Sequence, residues 1–255
     1  SWDRYEFVRV LGHGGMGSVY LARDRRLGRA VAIKFVAGRS DRMRLRFMQE
    51  ARAQSRIDHP GVCKVYEVGE VEGKTYIAMQ FIDGRTLDQA KSSLSPREKV
   101  EVIRDTARAL HFAHELGIIH RDVKPGNIML ENAPEGGLHP VLMDFGLARD
   151  AHDGSGITES GMVMGTAAYM SPEQARGDVR NLDRRSDVYS LGMTLFDLIA
   201  GRPPFQSEQL LPTLLGDSAS IVPALSTFVQ DVPPALEVIV GKCLNREPDQ
   251  RYATA

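Results

Sequence analysis

The chain has 255 residues, enough for one large domain or two small lobes, and a chain of this length buries roughly three quarters of its unfolded surface without a disulfide or metal staple. With 42% hydrophobic and 25% charged residues, and 32 basic against 33 acidic side chains for a net charge of -1, it argues against a dedicated nucleic-acid binder. No apolar run approaches the roughly 18 residues needed to cross a bilayer, the start Ser1 to Glu6 lacks a signal-peptide core, and Cys63 and Cys243 have no CxxC partner, which argues against a secreted disulfide scaffold and a zinc ribbon. A soluble chain with free thiols is expected.

From Tyr5 to about Phe81 short runs alternate apolar and polar residues, as in Tyr5 to Leu11, Val19 to Ala22, Val31 to Val36 and Tyr76 to Phe81, predicting an antiparallel sheet. One helix interrupts it over Asp41 to Ile57, stopped by His59-Pro60-Gly61; the run Arg42, Arg44, Arg46 reads as its solvated face. After Asp83-Gly84 the period becomes helical. Ser95-Pro96-Arg97-Glu98 is a capping box with proline at the first helical position, followed by an apolar stripe of Val100, Ile103, Ala107 and Leu110. His111 and His114 on that helix read as helix residues and not as ligands. Further helices are expected over about Asp183 to Ala200, closed by Gly201-Arg202-Pro203-Pro204, and over Pro233 to Leu244. The organisation is a small sheet-rich lobe, 1–82, and a larger helical lobe, 83–255.

Chemistry enters at Gly12-His13-Gly14-Gly15-Met16-Gly17 between two predicted strands. Glycines let a hairpin approach phosphates because no Cβ intervenes, and the β-favouring Ser18 to Ala22 that follows fits a hairpin over a nucleotide better than a dinucleotide fold. One strand later, Lys34 lies within Val31-Ala32-Ile33-Lys34. A lysine in an apolar strand is costly to bury unpaired, so it needs an acid, for which Glu50 on the following helix is the expected partner, and a phosphate.

The most specific signal is His120-Arg121-Asp122-Val123-Lys124-Pro125-Gly126-Asn127, followed by Asp144-Phe145-Gly146 and Ser171-Pro172-Glu173. With these the sequence resembles a protein kinase catalytic domain over nearly its whole length, Leu11 to Arg251, and Gly165 to Glu173 with the Gly-Gly-Met loop is most similar to the bacterial eukaryotic-like serine/threonine kinases. The resemblance implies an α+β, two-lobed kinase fold and transfer of the γ-phosphoryl group of ATP to serine or threonine hydroxyls of proteins, with Mg²⁺ or Mn²⁺ as cofactor.

It also implies roles for residues. The glycine-loop backbone at Gly12, Gly14, Gly15 and Gly17 covers the phosphates, Lys34 held by Glu50 places positive charge on them, and Asn127 and Asp144 hold the metal. Asp122 orients the substrate hydroxyl and accepts its proton; Lys124 contacts the γ-phosphate. Adenine is expected between Leu11, Val19, Ala32 and Met129, with hinge hydrogen bonds from Gln80 and Ile82 and with Met79 as gatekeeper. Asp187 holds the catalytic-loop backbone, Arg251 pairs with Glu173, and Thr166 belongs to the substrate platform. Thr158 and secondarily Ser160 are expected phosphorylation sites, their phosphates received by Arg121. Protein substrates, no nucleic acid, and a homodimer for phosphorylation between copies follow as partner expectations, as does a cytoplasmic catalytic domain of a membrane-anchored parent. Alternatives are a nucleotide-binding pseudokinase or scaffold and a small-molecule phosphotransferase of similar fold; Lys124, Thr166 and Ser171 to Glu173 weigh against the second. Two departures stand out: Glu131 to Gly137 lengthens a surface hairpin, and Gln54 occupies a column, with Val65, Phe145 and His120, where an apolar residue is expected. An unpartnered amide there costs roughly 1–3 kcal/mol.

Overall fold

A computed structural model describes residues 3–14, 17–35, 41–133, 136–145, 167–178, 182–205 and 222–255, with backbone alone for 41–46. The first lobe is a five-stranded antiparallel sheet in the order β1-β2-β3-β5-β4. Its strands are β1 (Tyr5–Gly14), β2 (Gly17–Asp24), β3 (Arg29–Phe35), β4 (Val65–Val71) and β5 (Lys74–Gln80). The glycine-rich segment forms the tip of the β1/β2 hairpin, where Gly14 pairs with Gly17, and the latter's φ of 126° is open to glycine and strained for any L side chain.

Strand periodicity sorts the side chains to two faces. On one, Ala32, Ile77 and Met79 pack with Phe47 and Ala51 of α1 (Asp41–Gln54) and with Cys63, Ile82 and Val141. On the other, Tyr5, Ala22, Val31, Ile33, Tyr76 and Ala78 form a second cluster. Lys34 shares the face of Ala32 and is 5% exposed, which places an ammonium group under the sheet.

β4 carries no clear alternation in the sequence, because its residues are almost all half-buried and Gly69 sits in the middle of the strand. Past Gln80 come the short β6 (Gly84–Thr86) and α2 (Leu87–Ala90), then α3 (Pro96–Glu115). Ser95 and Glu98 close the capping box: the Ser95 hydroxyl accepts from the Glu98 amide and Glu98 accepts from the Ser95 amide at 2.8 Å. Three of the four positions of the expected apolar stripe face the core, Ile103 and Leu110 buried and Ala107 packed against it. Val102, Ile103, Thr106, Ala109, Leu110 and Ala113 are buried, whereas Val100 is 41% exposed, because α3 packs over a face wider than a single i, i+3, i+7 line.

β7 (Ile128–Asn132) and β8 (Leu138–Leu142) complete a three-stranded sheet β6-β7-β8, and the lengthened segment after Glu131 is the turn of the β7/β8 hairpin, closed where Asn132 pairs with Leu138. After α4 (Pro172–Ala175), α5 (Arg184–Ala200) runs through the middle of the second lobe, buried along all its faces from Ser186 to Leu198. Asp183 caps its first turn, accepting from the Arg185 amide at 2.8 Å. Gly192 lets α6 (Pro234–Cys243) approach, since a Cβ there would lie 2.6 Å from the Cβ of Cys243. Val62 and Cys63 bridge to Leu142, with the Cys63 amide donating to the Leu142 carbonyl at 2.9 Å, and this joins the first lobe to the strand that leads to Asp144.

Candidate active site

The residues between α3 and β7 form a loop whose backbone is held by side chains. Asp187, in the first turns of α5 and wholly buried, accepts the amides of His120 and Arg121, both at 2.7 Å. Its Oδ2 is also 2.8 Å from His114 Nε2. His114 thus has a place that periodicity did not disclose: it is a buried partner of Asp187, while His111 pairs with the Thr254 hydroxyl.

His120 is fully buried; its Nε2 lies 2.9 Å from the Met143 carbonyl and its Nδ1 accepts the Asp122 amide at 3.2 Å. These bonds require the tautomer protonated at Nε2. Burial lowers the pKa of the imidazolium, so the ring is neutral, and it packs on Phe145 with centroids 4.4 Å apart. Arg121 has a φ of 66°, a left-handed conformation that an arginine adopts only when neighbours enforce it.

Asp122 emerges from this scaffold with its Oδ2 accepting two charge- or amide-based donors, Lys124 Nζ at 2.8 Å and Asn127 Nδ2 at 2.8 Å. Asn127 Nδ2 also donates to the Asp122 carbonyl at 2.8 Å, so the amide nitrogen is committed and its oxygen is the free end. Asp144, at φ 58°, follows Met143, whose amide donates to the Asn127 carbonyl at 2.9 Å. Asn127 and Asp144 therefore offer hard oxygen donors, which suits a Mg²⁺ or Mn²⁺ ion shared with phosphate oxygens.

The buried Lys34 has an acid, as required, but a different one from that expected. Its Nζ is 2.8 Å from Asp144 Oδ1, and among the ion pairs between described residues there is none from Lys34 to Glu50. Asp144 reaches the ammonium from the far lobe, while Glu50, half-buried on α1, has its own interactions. Lys34, Asp144, Asp122, Lys124 and Asn127 are thus brought to the seam between the lobes.

On the sheet side of the seam Leu11, Val19 and Met129 pack against the cluster holding Ala32, Met79 and Ile82, so six of the seven residues expected around adenine, all but Gln80, share one apolar wall. At Gln80 the amide donates to the Lys64 carbonyl at 2.8 Å, and the carbonyl accepts from the Cys63 thiol at 3.6 Å. Behind it Cys63 is buried, and burial pushes its thiol up to about 12, so it is inert packing. Gln54 is half satisfied. Its Nε2 donates to the Cys63 carbonyl at 3.0 Å, while its buried Oε1 has no partner among the described residues.

Below the seam Glu173 and Arg251 form a buried pair, joined at 2.7 and 2.9 Å, with Ser186 donating a further 2.7 Å bond to Glu173. Burial alone would raise the Glu173 carboxyl, but the Arg251 hydrogen bonds and charge outweigh it and hold it at about 2. A second buried carboxylate, Asp197 on α5, accepts from Tyr169 at 2.8 Å and from Lys91 at 3.2 Å. No motif marked it. Gly15, Gly146, Thr158, Ser160 and Thr166 lie outside the described residues.

The model of the protein kinase domain family matches residues 5–255. The chain is 42% identical to the serine/threonine-protein kinase PknB of Mycolicibacterium smegmatis over 99% of its own length and 41% of that protein's. It is 37% identical to the serine/threonine-protein kinase PknJ of Mycobacterium bovis, covering 98% of this chain and 43% of that one. The chain therefore spans about two fifths of the length of these relatives. Among solved structures, the Mycobacterium tuberculosis PknI kinase domain superposes with a TM-score of 0.78 at 29% identity, covering 100% of this chain and 93% of that one.

Proposed function

The chain belongs to the protein kinase domain family, and from that premise we propose that it is a serine/threonine kinase catalytic domain, transferring the γ-phosphoryl group of ATP to hydroxyls of protein substrates. The observation that carries this is the convergence of Asp122, Lys124, Asn127, Lys34 and Asp144 on one seam, with an apolar wall for a base above it.

In the reaction the substrate oxygen attacks the γ-phosphorus, the bond from that phosphorus to the β,γ-bridging oxygen breaks, ADP leaves, and the hydroxyl proton passes to the Asp122 carboxylate. Asp122 presents one oxygen to this task because its Oδ2 is occupied by Lys124 and Asn127. Lys124, two residues on, would carry its ammonium from Asp122 to the γ-phosphate as charge develops there. Lys34 has to exchange part of its pairing with Asp144 for phosphate oxygens. Magnesium or manganese, when held by Asn127 and Asp144, supplies screening of the phosphate charge. The glycine hairpin, with no Cβ at Gly12, Gly14 or Gly17, lets its backbone lie against the nucleotide.

Activation by phosphorylation on Thr158 and Ser160, received by the Arg121 guanidinium and carried out between two copies of the chain, belongs to the same reading. The supporting observation is that Arg121 stands immediately before the base in an enforced conformation. The test is transfer of radiolabelled phosphate from ATP to a generic protein substrate, with peptide mass spectrometry of the chain expressed alone and as Asp122→Asn. Transfer by the native chain and none by the variant is expected. ATP binding without transfer would overturn catalysis in favour of a nucleotide-binding scaffold, and phosphate on Thr158 in the inactive variant would overturn autophosphorylation.

A further inference from the structure

The peptide unit joining Arg121 to Asp122 is gripped at both ends. Its N–H, on Asp122, donates to His120 Nδ1 at 3.2 Å, and its carbonyl, on Arg121, accepts from Gln174 Nε2 at 3.0 Å. Because the peptide is planar, fixing both ends sets the direction in which the Asp122 Cα and its carboxylate leave the backbone. On the N-terminal side of this peptide Arg121 is held at a left-handed φ of 66°, a conformation that its neighbours must enforce.

Gln174 itself has one possible orientation. Its Oε1 accepts from the Ser171 amide at 3.1 Å and its Nε2 faces a carbonyl, so exchanging the two ends would set donor against donor and acceptor against acceptor. It is 9% exposed and lies on α4, directly after Glu173, whose own pairing with Arg251 anchors that short helix to the end of the chain. One side chain therefore connects the anchored end of the segment leading from Asp144 to the peptide that carries the base.

We propose that Gln174 is a positioning residue for phosphoryl transfer: it holds the plane of the Arg121–Asp122 peptide, and so makes the placement of the Asp122 carboxylate depend on α4 being docked. The inference rests on Asp122 being the base. A side chain acting in this way affects the chemical step and not nucleotide binding, since Lys34 and the apolar wall are untouched by it. Misplacing a catalytic group by a fraction of its length costs about 10- to 100-fold in rate.

Two substitutions test it in the whole 255-residue chain. Gln174→Met keeps the length and loses both bonds. Gln174→Glu keeps the acceptor for the Ser171 amide and loses the donor when ionised, but regains it when protonated, and burial next to a carbonyl raises the pH at which that happens. The expected result is that both variants, at pH 8, lose about 10- to 100-fold in kcat with the KM for ATP unchanged. The kcat of Gln174→Glu relative to the native chain should then recover between pH 8 and 6, while that of Gln174→Met stays flat. Wild-type kcat in Gln174→Glu at pH 8, or a relative kcat that does not recover with falling pH, overturns the proposal, and the second readout holds even if Gln174→Met fails to fold. Asp122→Asn is assayed beside them: if it retains activity, the reading of Asp122 as base fails, whatever the Gln174 variants do.

Discussion

Arg251 places both terminal nitrogens of its guanidinium on Glu173 in a location where the arginine side chain has no solvent exposure and the glutamate 4%. Its remaining donors reach the carbonyls of Arg185, Asn245 and Arg246, so the group is bonded in every direction. Removing one member strands the other. Arg251→Ala is expected to lower stability by about 3–5 kcal/mol, read in urea or thermal unfolding, with Glu173→Gln milder because the amide still offers an oxygen. The same pair has a pH signature. The folded Glu173 carboxyl, at about 2, lies below its ordinary value of about 4.3, so its contribution is complete above pH 4.3 and is lost as pH falls toward 2. The stability difference between the native chain and Glu173→Gln should therefore shrink as pH drops through that window; a constant difference would contradict the pairing.

Asp122→Asn and Lys34→Met should each reduce phosphoryl transfer at least ~10²-fold with the fold intact. An asparagine can still accept from Lys124 and Asn127, so its thermal midpoint should stay within a few degrees of native. Lys34→Met, by contrast, leaves the buried Asp144 Oδ1 without its ammonium, so its midpoint should fall while the fold persists and activity is lost.

Asp197 and its two donors make a separate test of the second lobe. Tyr169→Phe deletes a 2.8 Å bond to a carboxylate with no exposure, and Asp197 Oδ1 already lacks a partner among the described residues. The loss expected is about 1–3 kcal/mol, and a double-mutant cycle with Lys91→Met should show coupling, since both donors share Oδ2. Additive losses would show that the two bonds are independent.

Asp187→Asn is expected to be worse than its shape suggests. The carboxylate takes two amides and one imidazole, and an amide side chain has only one acceptor oxygen to divide among them. Unfolding measurements should show a loss of about 3 kcal/mol or more, together with loss of transfer. Retained activity would separate the loop geometry from catalysis.

Much of this architecture is legible in the sequence, because the signals are local. The Ser95 to Glu98 box, the glycine hairpin and the three motifs around Asp122, Asp144 and Glu173 each occupy a few adjacent residues. What escaped is what depends on distance. β4 is half-buried at all positions but Glu70 and so does not alternate. His114 looked like any helical histidine because its partner Asp187 comes from another helix. Lys34 called for an acid, but the choice between Glu50 and Asp144 is made by the packing of the two lobes and is not encoded in either motif. Gln54 looked like a flaw in an apolar column; the carbonyl that half satisfies it belongs to Cys63, nine positions on.

The convergence on Asp187 bears on how the molecule breathes. One carboxylate holds the amides of His120 and Arg121 and the ring of His114, so loop, α3 and α5 share a single fastening. A loop tied in this way cannot fray on its own. The amides of His120 and Arg121 must exchange with deuterium only when the start of α5 opens, and these two, though in an irregular loop, should report protection as high as that of the most buried helix in the lobe.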